Sequence, residues 1–131
     1  MRAVFLDYQS MKPEELDFER LAQATSEFVT HDVTPPERVA ERIVGFEVVI
    51  LNKVKFLREH FEAAPDLKLI LVSATGTDNV DKAAAAEHGV VVCNVAAYGT
   101  PSVSQHTLML MLMVATQVGR SRDDVRAGQS S

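Results

Sequence analysis

Five short apolar runs, separated by segments with helical spacing, constrain this chain more than any other feature. Four of the runs are nearly continuous Val, Ile, Leu and Phe, as in strands covered on both faces. Strands and helices that alternate in this way require right-handed crossovers and a parallel sheet. The sequence therefore predicts one α/β domain, a flavodoxin-like, doubly wound, five-stranded parallel sheet with strand order 2-1-3-4-5. The predicted strands are 3–7, 27–30, 46–51, 67–72 and 90–94.

The intervening segments predict four helices, since their apolar residues recur on one helical face. The fourth is alanine-rich and ends at Gly89, a residue type that suits a helix C-terminus. The markers of the first three are Phe18, Leu21 and Ala22, then Val39, Ile43 and Val44, then Phe56, Leu57, His60, Phe61 and Ala64 before Pro65.

A fifth helix, predicted over 102–118, is apolar on every side. Thr100-Pro101-Ser102 opens it, Ser102 and Gln105 match a capping box, and Gly119 is the expected stop. A helix with no polar face needs protein around its whole circumference, which a domain of this size does not easily supply. We predict a lobe over 1–119 that includes this helix, followed by a frayed polar tail over 120–131.

Composition excludes several classes of function. The net charge is −5 without a cluster of lysine or arginine, which argues against a nucleic-acid partner. The single cysteine, Cys93, rules out an internal disulfide and is expected to be buried and inert. The longest apolar run, 108–115, is far shorter than the roughly 18–20 residues that span a bilayer, and the N-terminus is not a signal peptide. We expect a cytoplasmic protein with no membrane partner.

No metal site and no catalytic constellation is predicted. The four histidines have no second histidine or carboxylate at ligand spacing, and each is expected at the surface or at a helix end. We find no pairing of a nucleophile with a base.

Ligands of open parallel sheets gather beyond the carboxyl ends of the strands. The richest such segment is 73–81, where Gly76 lets backbone approach a ligand and the next helix offers free N–H groups to an anion. An alternative is a plain capped turn, with Asp78 as N-cap and Asp81 in the first helical turn, whose carboxylates would compete with an anion. Both interpretations remain open at this stage.

Other functions of such sheets fit poorly. A flavin phosphate loop after the first strand would need glycine, which 8–13 lacks. A phosphoacceptor domain would need an aspartate where Asn52 stands and a lysine where Asn94 stands. None of the six glycines forms Gly-x-Gly, so the chain has no dinucleotide fingerprint.

Two motifs carry a family resemblance. The first motif consists of residues 67–70, 74–81 and 84–92. The second motif consists of residues 94–100 and 102–107. Together they closely resemble the D-2-hydroxyacid dehydrogenase family. Residues 52–56 and Gln105 look most like its glycerate dehydrogenase or hydroxypyruvate reductase branch.

The resemblance implies a two-lobed NAD(P)-dependent oxidoreductase that interconverts 2-keto and D-2-hydroxy acids, and the chain would be its substrate-binding lobe. The cofactor, NAD or NADP, would bind a second lobe that also supplies the catalytic Arg, Glu and His. This chain alone is therefore expected to bind no cofactor and to be inactive. By motif position, Thr75 and Gly76 would hold the substrate carboxylate, Lys53 would lie near the cleft, Gly99 would border the substrate, and Thr100 and Val103 would face the nicotinamide.

A full family member is more than twice as long, so we expect a truncated piece, natural or engineered. Two further hypotheses stay open: a self-associating structural module and a domain that binds small carboxylates weakly. The apolar helix would either fold back over the fifth strand or associate with a second copy. We expect a homodimer, with exchange of the 102–118 helix as one route.

Overall fold

The computed structural model describes residues 1–129. They divide into two compact units, the first over Met1–Ala96 and the second from Ala97 onward. The first unit contains a five-stranded, wholly parallel sheet with the order β2-β1-β3-β4-β5, which confirms the predicted fold. The strands are four residues each, shorter than most of the predicted runs. They are β1 Arg2–Phe5, β2 Glu27–Thr30, β3 Val48–Leu51, β4 Leu69–Val72 and β5 Val91–Asn94.

One face of the sheet carries the main core. Val4, Val49 and Ile70 occupy neighbouring strands there, and each is completely buried. Three helices pack on this face because their apolar residues point toward the sheet, as the helical spacing predicts. They are α2 Val39–Ile43, α3 Arg58–Ala63 and α4 Lys82–Glu87.

The opposite face is only partly covered. Helix α1, Glu19–Gln23, lies on this side, where Phe18 and Leu21 pack against the cluster around buried Phe5. On the edge strand β5, Val91 is 57% exposed and Cys93 is also exposed. The prediction that Cys93 is buried is wrong, because a four-residue apolar run does not reveal that its strand lies at an edge.

Two details of the first unit differ from the predictions. Helix α3 begins at Arg58, after Phe56 and Leu57, and His60 in its first turn is buried rather than at the surface. The N-cap of α4 is Asp81, whose carboxylate accepts the N–H of Ala84, whereas the capped-turn alternative had assigned that role to Asp78.

The second unit consists of two helices, α5 Thr100–Ala115 and α6 Val118–Arg126. The predicted Ser102 capping box is wrong, because α5 starts two residues earlier, after Gly99, and has no side-chain cap. The predicted stop is also wrong: Gln117 adopts a left-handed conformation (φ 51°), which ends α5, and Gly119 lies inside α6.

The predicted frayed tail is therefore helical up to Arg126. Its last two residues, Ser130 and Ser131, lie outside the described residues. Whether 1–119 behaves as one lobe stays a prediction. Over residues 1–129, the helices are all too short or too polar to span a bilayer.

Candidate functional site

The loops at the carboxyl end of the sheet are held together by a buried carboxylate. Asp7, two residues after the end of β1 and 6% exposed, accepts the backbone N–H of Asn52 on Oδ1 at 2.9 Å and that of Lys53 on Oδ2 at 2.6 Å. Charge-assisted hydrogen bonds of this kind are about twice as strong as neutral ones. Asp7 thereby determines the path of the loop that presents Lys53.

A second side chain binds the same loop from the other side. The amide nitrogen of Asn79, in the β4–α4 connection, donates to the carbonyls of Asn52 at 3.1 Å and Val54 at 3.0 Å. The carbonyl of Asn79 accepts the N–H of Phe56 at 2.7 Å. The loop after β3 and the loop after β4 therefore behave as one hydrogen-bonded piece.

The loop after β4 is also joined to the end of β5. The hydroxyl of Thr75 donates to the carbonyl of Val95 at 3.1 Å, and the side-chain amide of Asn94 donates to the carbonyl of Thr75 at 2.7 Å. These bonds use the hydroxyl and the carbonyl of Thr75 and leave its backbone N–H available.

A corner of free main-chain donors results at Thr75 and Gly76. Both residues are exposed, and within residues 1–129 neither backbone N–H has a hydrogen-bond acceptor. A Cβ placed on Gly76 would meet no atom within 4 Å, so the space beside the corner is open. Such a corner can accept a carboxylate oxygen at close range.

The expected contribution of the α4 helix to this corner needs correction. Helix α4 has only six residues and starts at Lys82, several positions after Gly76. Asp81 already caps its N-terminus. The donors of the corner are therefore loop amides, and the helix dipole has little effect on them because it falls off within the first turn.

Lys53 lies on the neighbouring loop and is exposed. It also lines a cavity of about 650 Å³ between the loops that follow β1, β2 and β3. Thr75 and Gly76 do not line this cavity. The structure thus places all three residues at the carboxyl end of one sheet and joins their loops through Asn79.

Two histidines of the first unit have altered acidity. Burial lowers the pKa of His60, and the nearby Glu59 carboxylate partly opposes this. Burial also lowers the pKa of His31, and the positive charges of Arg42 and Arg38 act in the same direction. Both rings are therefore neutral at neutral pH.

The remaining predicted site residues belong to the second unit. Gly99 precedes α5, Thr100 is its first residue, and the N–H of Val103 donates to the carbonyl of Gly99 at 2.9 Å. The Val103 side chain is 65% exposed. These residues therefore form one surface at the start of α5.

Asp7 was predicted only as the last residue of the strand over 3–7, and the roles of Asn79 and His60 were not predicted. The apolar run of β1 followed by one acid is a usable signal, because a buried acid at a strand end must find donors. Asn79 and His60 stand in irregular or helical segments whose patterns carry no such signal.

The chain was compared with known protein families and with proteins of known sequence or structure. Residues 4–127 match the family model described as D-isomer specific 2-hydroxyacid dehydrogenase, catalytic domain. A glycerate dehydrogenase of Methylorubrum extorquens is 36% identical over 128 residues, covering 97% of this chain and 40% of the relative. A hydroxypyruvate reductase of Blautia hydrogenotrophica is 36% identical over 132 residues, covering 98% and 41%.

Solved structures agree on the fold. The D-lactate dehydrogenase of Aquifex aeolicus, solved with NAD and lactic acid, superposes with a TM-score of 0.78 at 20% identity, over 99% of this chain and 38% of that one. The chain thus spans about 40% of the length of the curated relatives it matches. With a family match over nearly its whole length, the chain belongs to the D-isomer specific 2-hydroxyacid dehydrogenase family.

Proposed function

We propose that the chain is the substrate-binding part of an NAD(P)-dependent D-2-hydroxyacid oxidoreductase of the glycerate, hydroxypyruvate or glyoxylate type. The observation that carries this proposal is the pair of unbonded main-chain donors at Thr75 and Gly76 beside open space. The two relatives at 36% identity, named for glycerate and hydroxypyruvate, support the substrate class.

In this proposal the N–H groups of Thr75 and Gly76 donate to the substrate carboxylate. Glycine serves this purpose because it has no side chain to keep the ligand away from the backbone. The hydrogen bonds of Thr75 to Val95 and of Asn94 to Thr75 hold the corner in place before the ligand arrives. Prior ordering of this kind reduces the entropy cost of binding.

Lys53 adds a positive charge near the same carboxylate, and Gly99 borders the substrate. The Asp7 carboxylate and the Asn79 amide orient the loop that carries Lys53. A mobile lysine gives long-range attraction rather than a defined angle, so the directional part of recognition comes from the two backbone donors.

The nicotinamide cofactor, NAD or NADP, supplies hydride transfer to the substrate carbon. The residues present do not fit a whole dinucleotide, since the chain lacks Gly-x-Gly and the loop that follows β1, residues 8–13, contains no glycine. We assign only Thr100 and Val103 to contact with the nicotinamide. The isolated chain is expected to give no oxidation of NADH with hydroxypyruvate, because the acid–base group belongs to the other lobe.

The test compares two glycine substitutions in the 131-residue chain. Gly76→Ala puts a methyl group into the open space beside the corner, where it collides with a ligand but with no protein atom. Gly119→Ala is the matched control, since its Cβ also meets nothing within 4 Å. Hydroxypyruvate is titrated into each protein and backbone amide shifts are followed by NMR.

The expected result is a millimolar response at Thr75–Thr77 that Gly76→Ala weakens about tenfold, equivalent to about 1.4 kcal/mol. Gly119→Ala should bind as the wild type does. A response that survives Gly76→Ala unchanged would remove the proposal, and so would hydroxypyruvate shifts confined to other residues.

The proposal also concerns the association of the chain with a second copy and the place where it acts. We propose a homodimer formed through α5, with exchange of this helix as one route, and a cytoplasmic site of action. The exposure of every residue of α5 supports association, because apolar surface in water is costly.

A further inference from the structure

The cavity beside Lys53 has the size and lining of a small-molecule site. Its volume of about 650 Å³ lies within the range of about 300–1,000 Å³ typical of ligand pockets. Val33, Val54 and Leu57 contribute apolar walls. The cavity lies entirely within the first unit, and the corner at Thr75 and Gly76 takes no part in it.

A buried histidine supplies this cavity with a hydrogen-bond donor. The His60 side chain is 6% exposed and lines the cavity. Its Nδ1 accepts the N–H of Leu57 at 2.9 Å, so in the neutral ring the proton is on Nε2. Over the described residues that Nε2 has no hydrogen-bond acceptor, and the nearest carboxylate oxygen, on exposed Glu59, is 3.6 Å away. Within residues 1–129 the buried side-chain nitrogen without a partner is Arg42 Nε, so His60 Nε2 keeps contact with solvent and can be reached by a ligand.

The charged residues around the cavity select against ions. Asp7 is buried and contributes a carboxylate that disfavours an anion. Exposed Asp32 and Glu59 add to this effect, whereas the ammonium groups of Lys53 and Lys55 disfavour a cation. With both signs present, a neutral molecule meets the smallest electrostatic penalty.

We propose that this cavity is a binding site for a small uncharged carbonyl compound, such as a ketone, ester or amide, with an apolar body. Its carbonyl oxygen accepts the hydrogen bond of His60 Nε2, and its body packs against Val33, Val54 and Leu57. The site adjoins the substrate site proposed above, because Lys53 also lines the cavity, and its occupation does not require the cofactor-binding lobe.

The experiment uses the complete 131-residue chain labelled with ¹⁵N-histidine at pH 7.5. Acetophenone, which has an apolar body and one carbonyl, is titrated, followed by ethylbenzene, which lacks the acceptor, and benzoate, which adds a charge. The Nε2–H signal of His60 is observed directly, with His31, His88 and His106 as internal references.

We expect acetophenone to bind with a dissociation constant on the order of millimolar and to move the His60 Nε2–H signal downfield. Ethylbenzene should bind at least about threefold more weakly without that shift, as one lost hydrogen bond implies. Benzoate should bind most weakly of the three.

Two exposed valines provide a matched pair of variants. Val33→Asp alters the cavity wall and should weaken acetophenone binding about five- to tenfold, since it removes apolar contact. Val44→Asp changes another exposed valine, which lies outside the cavity, and should have no effect. The substrate corner is intact in both variants, so hydroxypyruvate binding should be unchanged and reports separately on the proposed function.

Several outcomes would overturn the inference. An unmoved His60 signal, equal binding of ethylbenzene and acetophenone, or equal losses in the two variants would each do so. Ligand shifts restricted to α5 would show nonspecific binding to its apolar surface and would also contradict it.

Discussion

Each unit contains an apolar segment, and the two segments have opposite exposure to solvent. In the first unit, all four residues of β3, Val48–Leu51, are buried. In the second, every residue of α5 is exposed, including Leu110 at 47% and Val114 at 78%. Apolar content therefore shows that a segment needs a protein environment, while the surrounding chain decides whether that environment is present.

The difference has an energetic consequence. Burial of one large apolar side chain contributes about 1.5–3 kcal/mol. In the first unit these contributions stabilise a sheet and three helices around a common core. In α5 they are available to whatever protein surface covers the helix, which is why we expect association to depend on it.

The largest effect is expected from charged substitutions in α5, which test whether its exposed apolar residues form an interface. Leu110→Glu combined with Val114→Glu places two carboxylates on one helical face, since i and i+4 are neighbours. If α5 forms the interface of a homodimer, the loss of two buried side chains in each protomer should weaken dimerisation by roughly 3–6 kcal/mol per protomer. Sedimentation equilibrium over micromolar concentrations measures this change.

The control for the association test is Arg20→Glu, which alters an exposed residue of α1 in the first unit. It should leave the dimer intact. A wild-type chain that sediments as a monomer at high micromolar concentration would contradict the expected homodimer before any variant is made.

The next prediction compares the loss of one large side chain in each of the two units. Phe56→Ala removes a fully buried ring that packs edge-on against Phe61 and His60, so it should lower the free energy of unfolding by about 3–5 kcal/mol. Met111→Ala removes a side chain that is 63% exposed and should change it by less than about 0.5 kcal/mol in the monomer.

Urea denaturation of both variants, followed by circular dichroism at low protein concentration, gives the two values. Equal losses would mean that α5 is as well packed in solution as the sheet, and the contrast between the units would be lost.

The same contrast explains which features were predictable from the sequence. Most of the strands followed from apolar runs such as 46–51, which are typical of a parallel sheet covered on both faces. Their order followed from the doubly wound, flavodoxin-like fold that the alternation of strands and helices indicates. The exposure of Cys93 and the end of α5 at Gln117 depend on neighbours and on one backbone angle, which leave no trace in the local pattern.

The candidate site divides in a similar way. The segment that contains Thr75 and Gly76 was selected because it follows a strand, and strand ends of a parallel sheet meet at one edge. The role of Lys53 was inferred from the family resemblance. The hydrogen bonds that give these loops their shape come from Asp7 and Asn79, which are distant from Lys53 in sequence. Single polar residues of this kind have no periodicity, so their partners appear only once the strands are paired.

The smallest expected effect is a dependence of the free energy of unfolding on pH, which is caused by two histidines of the first unit. The pKa values of His60 and His31 are lowered in the folded protein, mainly by burial. In the folded and unfolded chains the neutral form of both rings dominates at a pH well above the ordinary value of 6.5. Below it the unfolded chain takes up protons that the folded chain does not, so the free energy of unfolding should fall as the pH decreases from 7.5 to 5.5.

Urea unfolding at pH 7.5, 6.5 and 5.5 measures this slope, and His31→Gln should remove part of it. The window isolates the histidines, since the carboxyl groups of Glu27, Glu47 and Glu87 have pKa values below their ordinary 4.5 and titrate at lower pH. A free energy of unfolding that stays constant or rises toward pH 5.5 would mean that both rings take up protons in the folded state. In His60 the added proton would sit on Nδ1, which could then no longer accept the N–H of Leu57.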